Sequence, residues 1–380
     1  MANDAISIDV HNVISSNSLV NVLRETMQTI KRTPNMSNIL PALMLRGAPG
    51  IGKSTIVRSV AEELGIGFRD VRLAQLERVD FAGIPSVSKS GNTVWNIPSF
   101  WPTESEPFGI ILLDEITSAP ADVQVAAYSL VLDRKIPNSN YKLPDGWYIV
   151  AAGNRREDRA VVKSMSSALA NRFVHLELEA NPEEWFAWAI RNDIDQSVLG
   201  FLKFRSSLLF SMDNQNLECG WPSPRSWERV SNVLPMFRGN DTVLEKMVYG
   251  LVGAPAGAEY LAFYKLNKKF KDVLEMMVNP DVEIDIPQKM DEKCALATSA
   301  VYLLWGAADN EKETKRRVEG FFRIVDAMTD NGLALFMAKL AMVGTKTLPP
   351  MKAAAYIMKS DGYKNFAAAH KTAKLEEYVI

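Results

Sequence analysis

The stretch Gly47-Ala48-Pro49-Gly50-Ile51-Gly52-Lys53-Ser54-Thr55 constrains this chain more than any other, because it matches the phosphate-binding loop G-x-x-x-x-G-K-[ST]. Its flanks are those the loop requires. The apolar run Ala42-Leu43-Met44-Leu45 predicts a short buried strand before it, and Ile56, Val57, Val60, Ala61 and Leu64 recur at helical spacing after it, until Gly65 ends the helix. Glycines at 47, 50 and 52 let backbone N–H groups wrap a phosphate chain without Cβ clashes, and the positive end of the helix dipole faces the same anion. In this reading residues 47–55 cradle ATP, Lys53 reaches the β- and γ-phosphates, and Ser54 is a ligand of Mg²⁺. A chance match in a Gly-rich turn is the alternative, and the flanking strand and helix argue against it.

With 380 residues, 47% of them hydrophobic, the chain has enough apolar material for a sizeable core and for two or three structural units. Forty-three Lys+Arg against 45 Asp+Glu leave a net charge of −2, which excludes a global basic field directed at nucleic acid but not a local basic channel. Cys219 and Cys294 are too few for a disulfide framework or a zinc site, and His11, His175 and His370 lie far apart. A reducing compartment follows as an expectation. The first ten residues lack the cationic start and apolar core of a leader, and no run approaches ~18 apolar residues, so the expected location is cytoplasmic, with no membrane span.

Taken in order, Leu19, Val22, Leu23 and Met27 predict a lead-in helix, closed by the breakers Pro34-Asn35 and Ser37-Asn38. Phe68 to Leu76 alternates and predicts a strand that completes a β-α-β unit in a parallel sheet. Two β-prone runs then flank Gly91-Asn92, a hairpin-turn dipeptide, and predict an inserted hairpin; a surface hairpin without a role is the alternative. Gly109 to Glu115 reads as a buried strand ending in two carboxylates at the phosphate site. ATP hydrolysis needs one such group for the metal and another for the attacking water, roles that fit Asp114 and Glu115 in turn. Ser118 and Pro120 predict a helix start with Val123, Ala126, Ala127, Leu130 and Val131 as its buried stripe, ending near Pro137.

The strand Tyr148 to Ala152 delivers Asn154, where an amide can orient water or the γ-phosphate; a turn-forming Asn is the alternative. Arg155, Arg156, Arg159 and Lys163 form a basic cluster left without a role. Phe173 to Leu178 predicts a last strand, preceded by Arg172, and His175 reads as a sheet residue rather than a metal ligand. Asn181-Pro182 and Ser223-Pro224 each open a helix, the second with Arg225 in its first turn. From about residue 240 the pattern is helical; the charged run 311–317 reads as an exposed face, and Met276-Met277 and Phe321-Phe322 as core.

Between about residues 38 and 235 these blocks resemble a MoxR-type member of the AAA+ ATPases, the dynein-related group: RLAQLERVDFAGIP, IILLDEITSAPADVQVAAYSLVLDRK, LPDGWYIVAAGN, SSALANRF and PSPRSWERVS, in the family's order. The resemblance implies an α/β fold: a P-loop NTPase sheet of parallel strands sandwiched by helices, then a helical lid and a helical C-terminal region. The expected division is a lead-in at 1–36, the AAA+ domain at 37–179 with a hairpin insert at about 83–97, the lid at 180–275 and the C-terminal region at 276–380. It further implies that Asn154 is sensor 1, that Arg172 is the arginine finger offered to a neighbouring subunit, and that Arg225 is sensor 2. The implied function is Mg²⁺-dependent ATP hydrolysis by a homo-oligomeric, hexameric ring that remodels a protein client in a chaperone-like way, with a von Willebrand factor A-type protein as partner. A nucleic-acid-directed motor like that of a restriction system is the alternative, and a non-hydrolysing switch would leave Asp114-Glu115, Asn154 and Arg172 unexplained.

Overall fold

The central strands of this protein are short and apolar because both of their faces are covered. In the computed structural model, which describes residues 12–155, 165, 167–212, 219–237, 239–267, 272–345 and 348–370, the chain divides into two units, residues 1–181 and 182–380. The first unit runs β1 (Val13–Ile14), α1 (Ser16–Arg32), β2 (Ala42–Arg46), α2 (Lys53–Glu63), β3 (Gly67–Arg72), α3 (Arg78–Ala82), β4 (Ile84–Val87), β5 (Thr93–Asn96), β6 (Gly109–Asp114), α4 (Ala121–Asp133), β7 (Trp147–Gly153), α5 (Ser167–Ala170) and β8 (Phe173–Leu178). Six strands form a parallel sheet in the order β1-β8-β2-β7-β6-β3, and β4 pairs with β5 as a separate antiparallel hairpin. The α/β expectation is met.

Successive residues of a strand point to opposite faces. Met44, Ile111, Leu113, Ile149 and Ala151 share a buried cluster with Phe81 of α3 and with Val123, Ala127 and Leu130 of α4. The alternate residues Leu43, Leu45, Ile110, Leu112 and Val150 are buried as well, on the face where α2 packs, with α1 against α2. α1 buries Leu19, Leu23, Met27 and Ile30. Val22, expected in that stripe, is 39% exposed, because the buried face runs through Leu19, Leu23, Met27 and Ile30 in steps of four, four and three that pass it by.

The strand order separates β2 from β3 by β7 and β6, so the predicted β-α-β unit crosses two intervening strands. It also sets the C-terminal ends of β2, β7 and β6 side by side, where ligands bind in open α/β sheets. Several boundaries differ from expectation. β3 ends at Arg72, and Leu73–Gln75 coil into a 3₁₀ turn that buries Leu73. α4 begins at Ala121 with Pro120 as its N-cap and no side-chain cap, while the Ser118 amide donates to the Glu115 carbonyl. It ends at Asp133, before Pro137, because Arg134 takes a left-handed backbone with φ 56°. In the hairpin the loop spans residues 88–92: the Gly91 amide donates to the Ser88 carbonyl, and only Gly91, at φ 82°, is left-handed, so the turn is a tight turn with a glycine bulge rather than a two-residue Gly91-Asn92 turn. β1 was not expected, being too short to carry a pattern.

The second unit is helical: α6 (Pro182–Arg191), α7 (Gln196–Phe204), α8 (Pro224–Val233), α9 (Asp241–Val252), α10 (Ala254–Asn267), α11 (Val273–Val278), α12 (Met290–Leu304), α13 (Glu311–Ala327), α14 (Asn331–Val343), α15 (Pro350–Lys359) and α16 (Asp361–Ala369). One hydrophobic cluster extends from Trp185 to Phe366 and includes Met277, Phe321 and Phe322. Pro182 and Pro224 open helices as predicted, the latter with Ser223 and Ser226 in a reciprocal cap. The charged run in α13 is not wholly exposed: Thr314 is fully buried, and Arg317 donates to the Leu303 carbonyl at 2.7 Å. Among the described residues no helix is long and apolar enough to cross a membrane, and Cys219 and Cys294 are free thiols.

Candidate functional site

The loop after β2 owes its course to two glycines. A Cβ on Gly47 would stand 2.7 Å from the Leu178 carbonyl oxygen of β8. Gly52 meets nothing, but as N-cap of α2 it has φ 98°, a backbone that a side chain resists. α2 therefore starts at Lys53, with its free amides turned to the loop. Lys53 is 8% exposed. Its Nζ donates to the carbonyls of Gly47 (2.7 Å) and Ala48 (3.0 Å) and to Oδ1 of Asn154 (3.2 Å). Asn154 stands just past β7, whose Gly153 is level with Arg46 of β2. The register of adjacent parallel strands thus brings Lys53 and Asn154 together across 101 residues of sequence.

One strand further on, β6 ends at Asp114. Its Oδ2 accepts from Ser54 Oγ at 2.6 Å, and its Oδ1 accepts from the Glu115 amide at 2.9 Å. Glu115 is exposed and sits at φ 56°, uncommon for a residue with a side chain. The carboxylate–amide bond from Asp114 fixes that backbone. Ser54 Oγ and Asp114 Oδ2 form a hard-oxygen pair of the kind Mg²⁺ takes when phosphate and water fill its other positions. No group of three His, Cys, Asp or Glu that could hold a metal by itself occurs among the described residues. The donor set therefore fits a cation that arrives with a phosphate ligand.

Sequence reasoning missed two neighbours of this site. Asp70 of β3 pairs with Arg58 of α2 at 3.2 Å and lies 3.8 Å from Arg72, yet its Oδ1 is buried with no hydrogen-bond partner among the described residues. Burial raises its carboxyl above the usual range, Asp114 adds to the rise, and Arg72 and Arg58 oppose it. The signal was there: an Asp at the centre of an alternating strand must be paired or functional. Arg155 is the second, its Nη1 2.9 Å from Glu177 Oε1, joining the end of β7 to β8. Arg156, Arg159 and Lys163, grouped with it in sequence, lie outside the described residues, as does Ser166 of the block before Arg172.

Arg172 is not part of this constellation. It immediately precedes β8, whose Phe173 is level with Ala42 at the start of β2, so it lies at the opposite end of the sheet from the phosphate loop. Four strand steps at ~3.3 Å make that separation about 13 Å along the strands. Arg172 is exposed, with no ion pair among the described residues. Arg225 is exposed in the first turn of α8 and belongs to the second unit. His175, within β8, has its Nε2 2.8 Å from the Ala170 carbonyl, and its buried Nδ1 has no hydrogen-bond partner among the described residues.

Residues 42–173 match the AAA domain (dynein-related subfamily). The chain is similar to replication factor C subunit 2 of Schizosaccharomyces pombe, 35% identical over 107 residues, which are 27% of this chain and 31% of that protein. It is also similar to midasin of Giardia intestinalis, 27% identical over 169 residues, 42% of this chain and 4% of midasin. The matches thus span less than a third of these relatives' lengths. Among solved structures, the RuvB Holliday junction branch migration motor of Thermotoga maritima matches at 16% identity and a TM-score of 0.34, over 68% of this chain and 76% of that one.

Proposed function

We propose that the AAA domain of this chain hydrolyses ATP with Mg²⁺ and acts within a homo-oligomeric, hexameric ring. One observation carries the reading: Lys53 with Asn154, and Ser54 with Asp114, meet as hydrogen-bonded pairs at the C-terminal ends of neighbouring parallel strands. Gly47, Ala48, Pro49, Gly50, Ile51, Gly52 and Thr55 shape the loop whose amides take the phosphates. Lys53 exchanges its two carbonyl partners for phosphate oxygens when ATP binds. Asn154, already beside Lys53, holds the water or the γ-phosphate. Glu115 accepts a proton from the attacking water as its oxygen bonds to the γ-phosphorus and the bond to the β–γ bridging oxygen breaks, giving ADP and phosphate. Ser54 and Asp114 would hold Mg²⁺, which supplies charge neutralisation on the phosphate oxygens.

The place of Arg172 favours action in trans, since the far end of the sheet cannot serve the chain's own loop. An arginine finger contributes ~10³ to 10⁵ in rate, roughly 4 to 7 kcal/mol, against ~0 to 1 kcal/mol for a surface ion pair. We read residues 180–275 as the lid, with Arg225 as sensor 2, and 276–380 as a further helical region. The work is remodelling of a protein client of the MoxR kind, chaperone-like, in the cytoplasm and with a von Willebrand factor A-type partner. A nucleic-acid-directed motor like that of a restriction system is the second reading, favoured by the name of replication factor C.

The test mixes Arg172→Ala subunits with Lys53→Ala subunits. Neither alone turns over ATP, Lys53→Ala because it no longer binds it; the mixture recovers part of the activity by pairing an intact loop with an intact finger. A dead mixture in which native mass spectrometry shows mixed rings, or full turnover by Arg172→Ala alone, rejects the finger. Stimulation of wild-type turnover by duplex DNA, and not by a von Willebrand factor A-type protein, would select the second reading.

A further inference from the structure

Beside the nucleotide site stands a charge cluster that the proposed hydrolysis does not use. Arg72 ends β3 level with Asp114, the last residue of β6. Level residues of adjacent parallel strands share a face and stand ~4.8 Å apart, so Asp114 lies within easy reach of the Arg72 guanidinium, and opposite charges so placed attract. Among the described residues they form no ion pair. Asp114 Oδ2 accepts from Ser54 Oγ and its Oδ1 from the Glu115 amide, while Arg72 Nη2 turns back along its own strand to Asp70 Oδ2, 3.8 Å away. Asp70 stands two residues before Arg72 and so on the same face. A second guanidinium ends on the same oxygen: Arg58, one turn beyond Ser54 on α2, has its Nη2 3.2 Å from Asp70 Oδ2.

We propose that Asp70 is a positioning residue for the cation site: it draws Arg72 and Arg58 away from Asp114 and thereby keeps that carboxylate open to Mg²⁺. The inference rests on the reading of Ser54 and Asp114 as the Mg²⁺ pair. Without the Asp70 charge, the carboxylate level with Arg72 is Asp114, and a guanidinium bound there competes with a divalent cation for the same oxygens. A plain structural ion pair accounts poorly for the arrangement. The Arg58 and Arg72 side chains are about half exposed, where ion pairs add little stability. Asp70 is only 15% exposed, and its Oδ1 is buried with no hydrogen-bond partner among the described residues, which costs stability. An acid held at that cost, between two arginines and a metal-binding acid, is explained by what it keeps apart.

The test measures Mg²⁺ affinity rather than turnover, in the full chain, with a fluorescent non-hydrolysable ATP analogue held constant and Mg²⁺ titrated. Removing a residue that orients a metal ligand typically costs ~10- to 100-fold in metal affinity. Asp70→Asn, close in shape, should therefore raise the Mg²⁺ needed for half-saturation at least tenfold, while binding of the analogue in EDTA is not weakened and the melting temperature stays within about 4 °C of wild type. The decisive variant is Asp70→Asn with Arg72→Gln, which removes the competing guanidinium and should return the Mg²⁺ requirement to within about threefold of wild type, a rescue that a merely structural role would not give. Arg72→Gln alone should leave the requirement unchanged, since Asp70 already holds that guanidinium. An unchanged requirement in Asp70→Asn, a loss that Arg72→Gln does not restore, or an Asp70→Asn chain that fails to fold overturns the proposal and leaves the Ser54–Asp114 site standing. Wild-type binding that does not respond to Mg²⁺ removes that site instead, and the inference falls with it.

Discussion

Replacing Arg134 by Met is expected to destabilise the first unit by about 3 kcal/mol, although the residue lies outside the nucleotide constellation. Arg134 is 7% exposed. Its guanidinium donates to the carbonyls of Ser37, Pro144 and Trp147, each at 2.9 Å, and so joins the turn before β2 to the start of β7 from the C-terminus of α4. Burial lowers its pKa to about 10, far enough to keep it charged at neutral pH but at a desolvation cost of about 3 kcal/mol at ~1.36 kcal/mol per decade. Three charge-assisted bonds at ~1.5 to 3 kcal/mol each give roughly 4.5 to 9 kcal/mol. The difference is about 1 to 6 kcal/mol, hence the central value. Met fills much of the volume but removes the guanidinium donor from the Ser37, Pro144 and Trp147 carbonyls and leaves Pro144 only the Trp147 amide at 3.4 Å.

For a unit of this size the loss lowers the melting temperature by roughly 6 to 12 °C, at ~2 to 4 °C per kcal/mol. Lys should not rescue it, because a single ammonium cannot replace two separate nitrogens, Nη1 on the Ser37 carbonyl and Nη2 on the Pro144 and Trp147 carbonyls of another segment. The assay is thermal and urea unfolding of the purified variants, with hydrogen exchange at the β7 amides as the local readout. An Arg134→Met protein within 1 kcal/mol of wild type, with unchanged exchange in β7, would refute the reasoning.

Three further outcomes are expected. Glu115→Gln keeps Mg·ATP binding by calorimetry but loses about 10² to 10⁴ in turnover, the usual worth of a general base; unchanged turnover removes Glu115 from its role. Shortening the 84–97 hairpin, whose Ile84, Val87 and Val94 are exposed, spares basal ATPase and removes partner-dependent work, and a shortened chain that fails to fold would show the hairpin to be structural. Iodoacetamide at pH 8 alkylates the exposed Cys219 and spares Cys294, whose burial pushes its thiol up to about 12 and leaves roughly 10⁻⁴ of it as thiolate; equal labelling by mass spectrometry would contradict the buried placement.

How far the sequence reaches depends on whether the information is local. The loop 47–55 is contiguous and glycine-marked, and β6 announces itself by four apolar residues before two acids, so both were legible. Arg134 was not, since its position in the run VLDRK looks like an exposed helix end, and only the left-handed backbone at its own Cα carries it inward. Asp70 failed for a related reason: its neighbour Asp114 is set by strand order, and β3 lies beside β6 rather than beside β2. The hairpin is legible from the dipeptide Gly91-Asn92, but its turn is not, because the 88–92 loop with its bulge at Gly91 follows from the pairing of Val87 with Thr93.

The same dependence on strand order explains why Lys53 and Arg172 answer different questions. Lys53 follows the C-terminal end of β2, and β7 places Asn154 next to it, so any nucleotide drawn to the loop meets both at once. Arg172 enters β8 from the other end of the sheet, level with Ala42, and no rotamer of one side chain closes about 13 Å along ~3.3 Å strand steps to the chain's own γ-phosphate. An exposed guanidinium there is either solvated surface or, in the proposed reading, directed at a second copy of this chain. Turnover that depends on Arg172 would therefore depend on protein concentration as well, and dilution of wild-type protein below its assembly range should reproduce the loss seen in Arg172→Ala. Turnover per subunit that stays constant across that dilution, while Arg172→Ala remains inactive, would place the role of Arg172 within its own chain and break the argument from sheet geometry.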